Sequence, residues 1–241
     1  MTVVRDAEEL DFVWTSSVFG GFKVSTRIMP AHSARRGGDW CETFALSKHV
    51  VALSIGDVCG HGLAAFEAML LTRQFVRDGA AWGLDPSQTL AQVNQALCRE
   101  EHGFYATAIF GLLDTRRNTF TFANAGHPPP LLAGAFGEYF LEFGNGDLLL
   151  GMSKAAIAQL HVVTIPAETL LVLYTDGIIE RQRDVILGQR QLRNAATLAY
   201  RSSALSAAPV IERQMFLAGS SHDDAALLTA RAPSPRMYST L

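Results

Sequence analysis

The order of apolar and polar residues along the chain switches between the periods of strands and of helices. Between Phe22 and Ile28 every second residue is apolar or β-branched, which predicts a strand with one buried face. Residues 50–55 form a continuous apolar run, which predicts a strand covered on both faces. That run ends in the glycine-rich segment Gly56-Asp-Val-Cys-Gly-His-Gly62, after which the pattern becomes helical.

Two helices are predicted after this segment. The first covers about residues 63–79, and the large apolar residues expected on its buried face are Leu63, Phe66, Met69 and Leu70. The second begins at Asp85-Pro86, where aspartate is the N-cap, proline is the first helical residue and Gln88 stands at the capping-box position. Leu90, Val93 and Leu97 form its predicted buried stripe. Helical patterns return within residues 192–199 and 207–217.

Strand patterns dominate the chain after Gly103. The predicted strands cover residues 105–113, 119–123, 130–132, 139–143, 161–165, 169–174 and 225–230. Paired helices around a block of short successive strands favour an α+β fold of stacked, mainly antiparallel sheets with helices outside, and argue against a doubly wound parallel fold. We expect an arm or short helix at 1–20, one domain at 21–232 and a flexible tail at 233–241.

The composition narrows the class of protein. An apolar fraction of 49% and a charged fraction of 18% are typical of a globular protein with a hydrophobic core. A formal charge of −3 argues against binding to nucleic acid or to an anionic membrane. Three cysteines without a CxxC motif, a polar N-terminus and no apolar run near the ~18 residues of a membrane span favour a reduced, cytoplasmic protein.

Aspartates recur at the ends of predicted strands. Asp39 follows two glycines, Asp57 follows an apolar strand, Asp176 follows another, and Asp223-Asp224 precede the last strand. Burying a carboxylate without a partner is costly, and several converging carboxylates repel one another at low dielectric. A hard divalent cation removes that repulsion, and ligation by oxygen alone points to Mg²⁺ or Mn²⁺. Ordinary turn aspartates are the alternative interpretation.

Five motifs follow one another in an order that resembles a known family. They are Gly37-Gly-Asp-Trp40, Gly56-Asp-Val-Cys-Gly-His-Gly62, Asn124-Ala-Gly-His-Pro-Pro129, Tyr174-Thr-Asp-Gly177 with Glu180, and Asp223-Asp224. Over residues 22–231 the chain resembles the SpoIIE/RsbU branch of the metal-dependent (PPM) protein serine/threonine phosphatases. The resemblance implies an αββα sandwich, two Mn²⁺ or Mg²⁺ ions per site, and hydrolysis of phosphoserine or phosphothreonine by metal-activated water.

The resemblance also implies roles for particular residues. The implied metal ligands are Asp39, Asp57, Asp176, Asp223 and the backbone carbonyl of Val58, with Asp57 bridging the two ions. Other residues remain open between a functional and a structural role. These are Arg35 or Arg36 (phosphate contact or solvated loop), His61 (general acid or helix start), Asp224 (support of the ligands or cap), and Asn124 and His127 (support of the ligands or turn).

Some residues depart from the pattern of the family. Cys59 stands where serine or threonine is usual and is expected to be a small buried residue without a redox role. Glu42 stands where aspartate is usual, and this change leaves the implied ligands intact.

The resemblance also bears on the biological role. It implies a phosphorylated STAS-type anti-sigma factor antagonist as substrate, within a partner-switching circuit, and it leaves a homodimer open. The main alternative is a non-catalytic PPM-like domain that acts as a binding module in such a circuit. A nucleotide cyclase, suggested by Gly37-Gly-Asp39, would need Glu-Phe where Trp40-Cys41 stand.

Overall fold

The computed structural model describes residues 13–29, 37–99, 103–142, 149–156, 158–181, 183–202, 204, 206–216 and 223–235. Within them the strands are β1 Val13–Phe19, β2 Phe22–Met29, β3 Trp40–Ala45, β4 Val50–Val58, β5 Ala106–Asp114, β6 Thr119–Ala125, β7 Leu131–Gly134, β8 Gly137–Phe140, β9 Leu160–Thr164, β10 Leu170–Tyr174 and β11 Ala225–Arg231. The helices are α1 Gly62–Ala81, α2 Pro86–Leu97, α3 Val185–Arg201 and α4 Ala208–Met215, and a 3₁₀ turn covers Asp176–Ile178.

Two antiparallel sheets pack against each other, and each carries a pair of helices on its outer face. One sheet has the strand order β1-β2-β11-β10-β7-β8 and the other has the order β3-β4-β5-β6-β9. Helices α1 and α2 cover the second sheet, and α3 and α4 cover the first. The predicted α+β class with stacked antiparallel sheets is confirmed.

Three hydrophobic clusters separate these layers. Leu53 and Ile55 of β4 pack between the two sheets, whereas Ala52 packs under the helices α1 and α2. The inner face of β10 likewise contributes Leu171 and Leu173 to the space between the sheets, and its outer face packs against α3 and α4. A strand between two apolar layers needs apolar residues on both faces, which explains the continuous apolar runs in these strands.

The capping box predicted for α2 is present. The backbone amide of Gln88 donates to Asp85 Oδ1 at 2.9 Å, and the amide of Asp85 donates to Gln88 Oε1 at 3.1 Å. Pro86 is the first helical residue, and the predicted apolar stripe of this helix is fully buried. The start of α2 is therefore set by local sequence alone.

The buried face predicted for α1 is wrong in two of its four residues. Leu63 and Leu70 are 56% and 44% exposed, whereas Ala65, Ala68 and Met69 are buried. Small residues let the helix axis approach the sheet and α2, so close packing decides the orientation of this helix more than side-chain size does.

The arm or short helix expected at residues 1–20 is wrong for β1. This strand pairs antiparallel with β2, and Phe19 stands opposite Phe22. Gly20 and Gly21 connect the two strands with φ of +55° and +95°, a conformation that a two-residue hairpin requires and that glycine adopts without strain. Residues 1–12 lie outside the described part of the chain.

The first residues of the predicted C-terminal tail are held against the turn before β10. The amide of Glu168 donates to the carbonyl of Pro233 at 3.1 Å, and the Ser234 hydroxyl donates to Glu168 Oε1 at 2.8 Å. Residues 236–241 lie outside the described part, so the flexibility expected for them stays a prediction. In the described residues, none of the helices has the length and apolar character that crossing a membrane requires.

Candidate metal centre

Four of the predicted ligand residues lie at the ends of two adjacent strand pairs. Asp39 immediately precedes β3 and Asp57 is the penultimate residue of β4, and the register that pairs Trp40 with Gly56 leaves these two aspartates opposite each other. Asp176 follows β10 by two residues, and Asp223 precedes β11 by two residues. Since β3 and β4 belong to one sheet and β10 and β11 to the other, each sheet contributes two aspartates.

Asp39 and Asp57 form a hydrogen-bonded carboxyl pair. Burial and the negative charge of Asp57 raise the pKa of Asp39 well above its ordinary value, and Asp39 is only 6% exposed. Burial and the charges of Asp176, Asp223 and Asp224 raise the pKa of Asp57, against the lowering effect of its hydrogen bond with Asp39. Two hydrogen-bonded carboxyl groups need a proton or a cation between them, because two negative charges in a largely buried position repel each other strongly.

Thr175 holds one member of this pair in place. Its hydroxyl donates to Asp39 Oδ2 at 2.6 Å and accepts the backbone amide of Ala226 at 2.8 Å. The side chain is fully buried at the end of β10, so it connects the aspartate of one sheet to two strands of the other. The sequence alone does not mark Thr175 as a functional residue, although it lies within the Tyr174-Thr-Asp-Gly177 motif.

Asp176 and Asp223 face the pair from the second sheet. Burial, followed by the charge of Asp223, raises the pKa of Asp176, while the backbone amide of Gly177 acts in the opposite direction. The exposed side chain of Glu180 belongs to the same acidic region, because burial and the charges of Asp176 and Asp223 raise its pKa. The mutual repulsion is thus distributed over both sheets.

The glycines before Asp39 bring the backbone onto the predicted carbonyl ligand. A Cβ on Gly38 would lie 2.6 Å from the carbonyl oxygen of Val58 and 3.2 Å from Asp57 Oδ1. A Cβ on Gly37 would clash with the carboxylate of Asp224. A side chain at Gly38 would collide with the backbone of Val58, so this glycine is required for the close approach, whereas a side chain at Gly37 would displace the Asp224 carboxylate. The structure therefore places Asp224 beside the predicted ligands.

These residues fit a hard divalent cation in their chemistry. Their side-chain donors are all carboxylate oxygens, and their raised pKa values reflect the repulsion that such a cation would remove. In the described part of the chain, no three acidic, histidine or cysteine side chains form a closed group around a single ion position. The described geometry is that of an open acidic site in which Asp39 and Asp57 are hydrogen-bonded to each other and the backbone amide of Asp224 donates to Asp223 Oδ1 at 2.9 Å.

Asn124 and His127 support the strands behind Asp57. The Asn124 side chain accepts the backbone amide of His127 at 2.8 Å and donates to its carbonyl at 2.9 Å, which closes the turn after β6. The His127 ring lies 2.8 Å from the hydroxyl of Thr107, the residue paired with Asp57. Burial lowers the pKa of His127 to about 3, so the ring is neutral and acts as a packing and hydrogen-bonding group.

The other residues that the sequence singles out are not among the carboxylates of this site. Arg35 and Arg36 are outside the described residues, so their contact with phosphate stays a prediction. His61 is the exposed N-cap residue of α1 and its side chain makes no capping bond. The expectation that Cys59 is buried is wrong, because this residue lies exposed in the turn after β4.

Glu42 is buried away from the acidic site and accepts hydrogen bonds from Arg73 and Arg77 of α1.

The αββα sandwich with this acidic site is the fold of the PPM phosphatases. The chain belongs to the Stage II sporulation protein E (SpoIIE) family, whose sequence profile matches residues 47–233. It is 26% identical over 153 residues to the phosphoserine phosphatase RsbP of Bacillus subtilis strain 168, which covers 61% of this chain and 38% of RsbP. The chain thus spans well under half the length of that relative.

Solved structures share the same architecture. The crystal structure of the RsbU and RsbW domains of Rv1364c from Mycobacterium tuberculosis superposes with a TM-score of 0.72 at 26% identity, covering 93% of this chain and 62% of that one. The structure of RsbX in complex with magnesium superposes with a TM-score of 0.71 at 17% identity, covering 91% and 99%. The predicted family and the predicted fold are both confirmed.

Proposed function

We propose that this chain is a metal-dependent protein serine/threonine phosphatase. The observation that carries the proposal is the contact between Asp39 and Asp57 at a position where Asp176 and Asp223 of the other sheet also act on Asp57. Membership in the SpoIIE family and similarity to a protein named phosphoserine phosphatase support the same activity.

The proposed ligands of two Mn²⁺ or Mg²⁺ ions are Asp39, Asp57, Asp176, Asp223 and the carbonyl of Val58. Asp57 is the central member, because the other three aspartates and Asp224 all raise its pKa or hydrogen-bond to it. When bound, the ions would lower the pKa of a water nucleophile and offset charge on the phosphoryl oxygens. The magnesium complex of RsbX supports this class of ion.

The chain's own residues orient these ligands. Thr175 keeps Asp39 turned towards Asp57, the glycines before Asp39 keep the backbone against Val58, and the Asn124–His127 turn supports the strand beside Asp57. A cysteine nucleophile is disfavoured, since partial burial and the charges of Asp57 and Asp176 raise the pKa of Cys59 and keep it a thiol at neutral pH.

The proposed substrate is phosphoserine or phosphothreonine on a bacterial regulatory protein, specifically a STAS-type anti-sigma factor antagonist in the cytoplasm. RsbP is named a phosphoserine phosphatase, and the matching domain of Rv1364c occurs beside an RsbW domain. A phosphotyrosine substrate is expected to be poor.

Hydrolysis of p-nitrophenyl phosphate with Mn²⁺ and with EDTA tests the activity. We expect turnover in Mn²⁺, loss of turnover in EDTA, and at least ~10²-fold lower turnover in Asp57→Asn. Asp114→Asn is the matched control, because Asp114 also ends a strand but accepts hydrogen bonds from Arg116 and Arg117. Full activity in EDTA would exclude the metal site. No activity with any divalent ion, together with tight binding to the partner, would favour the non-catalytic binding module.

A further inference from the structure

The first turn of α3 exposes two adjacent apolar side chains. Ile186 is 81% exposed and Val185 is 40% exposed. Single exposed apolar residues are normal on a protein surface, but an adjacent pair at the edge of a functional site offers contact area to a partner. Whether this pair contacts a partner therefore depends on its position in the fold and on the charges around it.

The turn before α3 connects this pair directly to the acidic site. Asp176 opens the 3₁₀ turn, and the pKa of Glu180 is raised by burial and then by the charges of Asp176 and Asp223. Gly188 in the second turn of α3 touches the backbone of Ile179, because a Cβ on Gly188 would clash with the Ile179 carbonyl. The N-terminal end of α3 is thus fastened to the turn that Asp176 opens, and Ile186, two residues before this contact, belongs to an exposed surface that we call the α3 rim (Arg183, Val185, Ile186 and Arg190).

Two exposed arginines flank the apolar pair. Arg183 and Arg190 make no side-chain hydrogen bond or ion pair with the residues that the structure describes. Arg181, by contrast, is already engaged: its guanidinium donates to the Met215 carbonyl and lies 4.4 Å from the Phe216 ring centroid. Asp184, which directly precedes the helix, accepts the backbone amide of Leu187 as a helix cap.

Charge favours an acidic partner on this rim. With two divalent ions bound as proposed, a phosphoprotein approaching the site still meets net negative charge, because four positive charges stand against the six carboxylates of Asp39, Asp57, Asp176, Asp223, Asp224 and Glu180. Cations beside the entrance offset that repulsion and speed association. On the opposite flank, the exposed Leu63 and Leu70 of α1 have Glu67 between them, and Arg73 and Arg77 are bound to Glu42. The α3 rim combines exposed apolar area with two arginines that make no side-chain hydrogen bond or ion pair with the described residues.

We infer that the α3 rim, formed by Arg183, Val185, Ile186 and Arg190, docks the folded phosphoprotein substrate through an acidic surface that surrounds an apolar contact. This inference rests on the proposed phosphatase function. Ile186 acts as the apolar anchor, and the two arginines steer and orient the partner. We expect a small phosphate ester to react at the acidic site without contacting the rim, so protein and small-molecule turnover distinguish docking on the rim from the chemistry.

Steady-state kinetics of Ile186→Asp, Arg190→Glu and Leu198→Asp test the rim. The substrates are a serine-phosphorylated STAS-domain protein from the same organism and p-nitrophenyl phosphate, both with Mn²⁺. For the protein substrate, we expect KM to rise on the order of tenfold in Ile186→Asp with little change in kcat. Arg190→Glu should show a rise that shrinks at high salt. Turnover of p-nitrophenyl phosphate should stay at the wild-type level.

Leu198→Asp is the matched control, because Leu198 is an apolar residue on the same helix, 49% exposed and three turns further along. It should leave the kinetics with both substrates unchanged. The inference is overturned if Ile186→Asp keeps the wild-type KM for the protein substrate, or if Leu198→Asp raises this KM equally. It is also overturned if only a substitution on the opposite flank, Leu63→Asp, raises it. If the wild-type protein does not hydrolyse p-nitrophenyl phosphate with Mn²⁺, the proposed function itself is contradicted.

Discussion

At the scale of single residues, the surroundings of a carboxylate distinguish a ligand from a turn residue. Asp114 is the last residue of the buried strand β5, and burial acts to raise its pKa, but hydrogen bonds from Arg117 and Arg116 lower it overall. Asp176 also lies at a strand end, but its pKa is raised by burial and then by the charge of Asp223, and Asp176 in turn raises the pKa of Asp57 and of Glu180. The first carboxylate stabilises its turn, whereas the second destabilises the fold and is retained for another purpose.

Substitution of Asp176 by asparagine separates these roles. In EDTA the variant should be as stable as the wild-type protein or more stable by about 1 kcal/mol, because it removes a repelled charge. Turnover in Mn²⁺ should nevertheless fall at least ~10²-fold. Asp114→Asn should show the reverse, with lower stability and normal turnover. Thermal melts in EDTA, measured beside turnover, decide between them; an early-melting, active Asp176→Asn would identify Asp176 as a turn residue.

The sequence predicts the aspartates of the site better than the groups that orient them. A carboxylate at the end of an apolar strand is conspicuous because its burial is costly, so Asp57 and Asp176 can be recognised from the sequence alone. Thr175 is not conspicuous, since a buried threonine at a strand end is common, and only the fold shows that its hydroxyl reaches Asp39. Glu180 is part of a motif that the sequence shows, but only the fold shows that the charges of Asp176 and Asp223 act on it.

At the scale of secondary-structure elements, the sequence predicts an element correctly where the residues that determine it are neighbours along the chain. The start of α2 is predicted correctly because its cap and its first residues are neighbours in sequence. Strands β1 and β3 escape prediction because their stability comes from pairing with β2 and β4. The buried face of α1 is predicted wrongly because alanines and glycine, with little hydrophobic signal, set its contact with the sheet.

The attachment of α1 to β3 depends on Glu42. Its Oε2 accepts hydrogen bonds from Arg73 at 3.0 Å and from Arg77 at 2.7 Å, and its side chain is only 6% exposed. Glu42→Gln removes the charge and leaves two arginines facing a neutral amide, so we expect a loss of about 1–3 kcal/mol of stability. Urea unfolding with and without Mn²⁺ measures it. The loss should be the same in both conditions, because Glu42 lies outside the acidic site; a loss seen only with Mn²⁺ would contradict this.

At the scale of the whole molecule, the acidic site joins the two sheets at one end of the sandwich. Asp39 and Asp57 belong to the ends of β3 and β4, and Asp176 and Asp223 to the ends of β10 and β11. Three apolar layers hold the sheets and helices together elsewhere, but they do not remove the repulsion among these carboxylates. Separation of the sheets should therefore release any cation held by this site, so the two processes are thermodynamically linked.

Mn²⁺ should raise the unfolding temperature of the entire domain. At a free concentration of a hundred times the Kd, linkage adds about 2.7 kcal/mol to the free energy of unfolding. For a domain of this size that corresponds to roughly 5–10 °C. Differential scanning calorimetry should show one transition that moves as a whole, since ligands from both sheets are lost together. Asp57→Asn should abolish the shift and Asp114→Asn should preserve it. A melting temperature that ignores Mn²⁺, or a second transition that alone responds to it, would show that the cation does not join the two sheets.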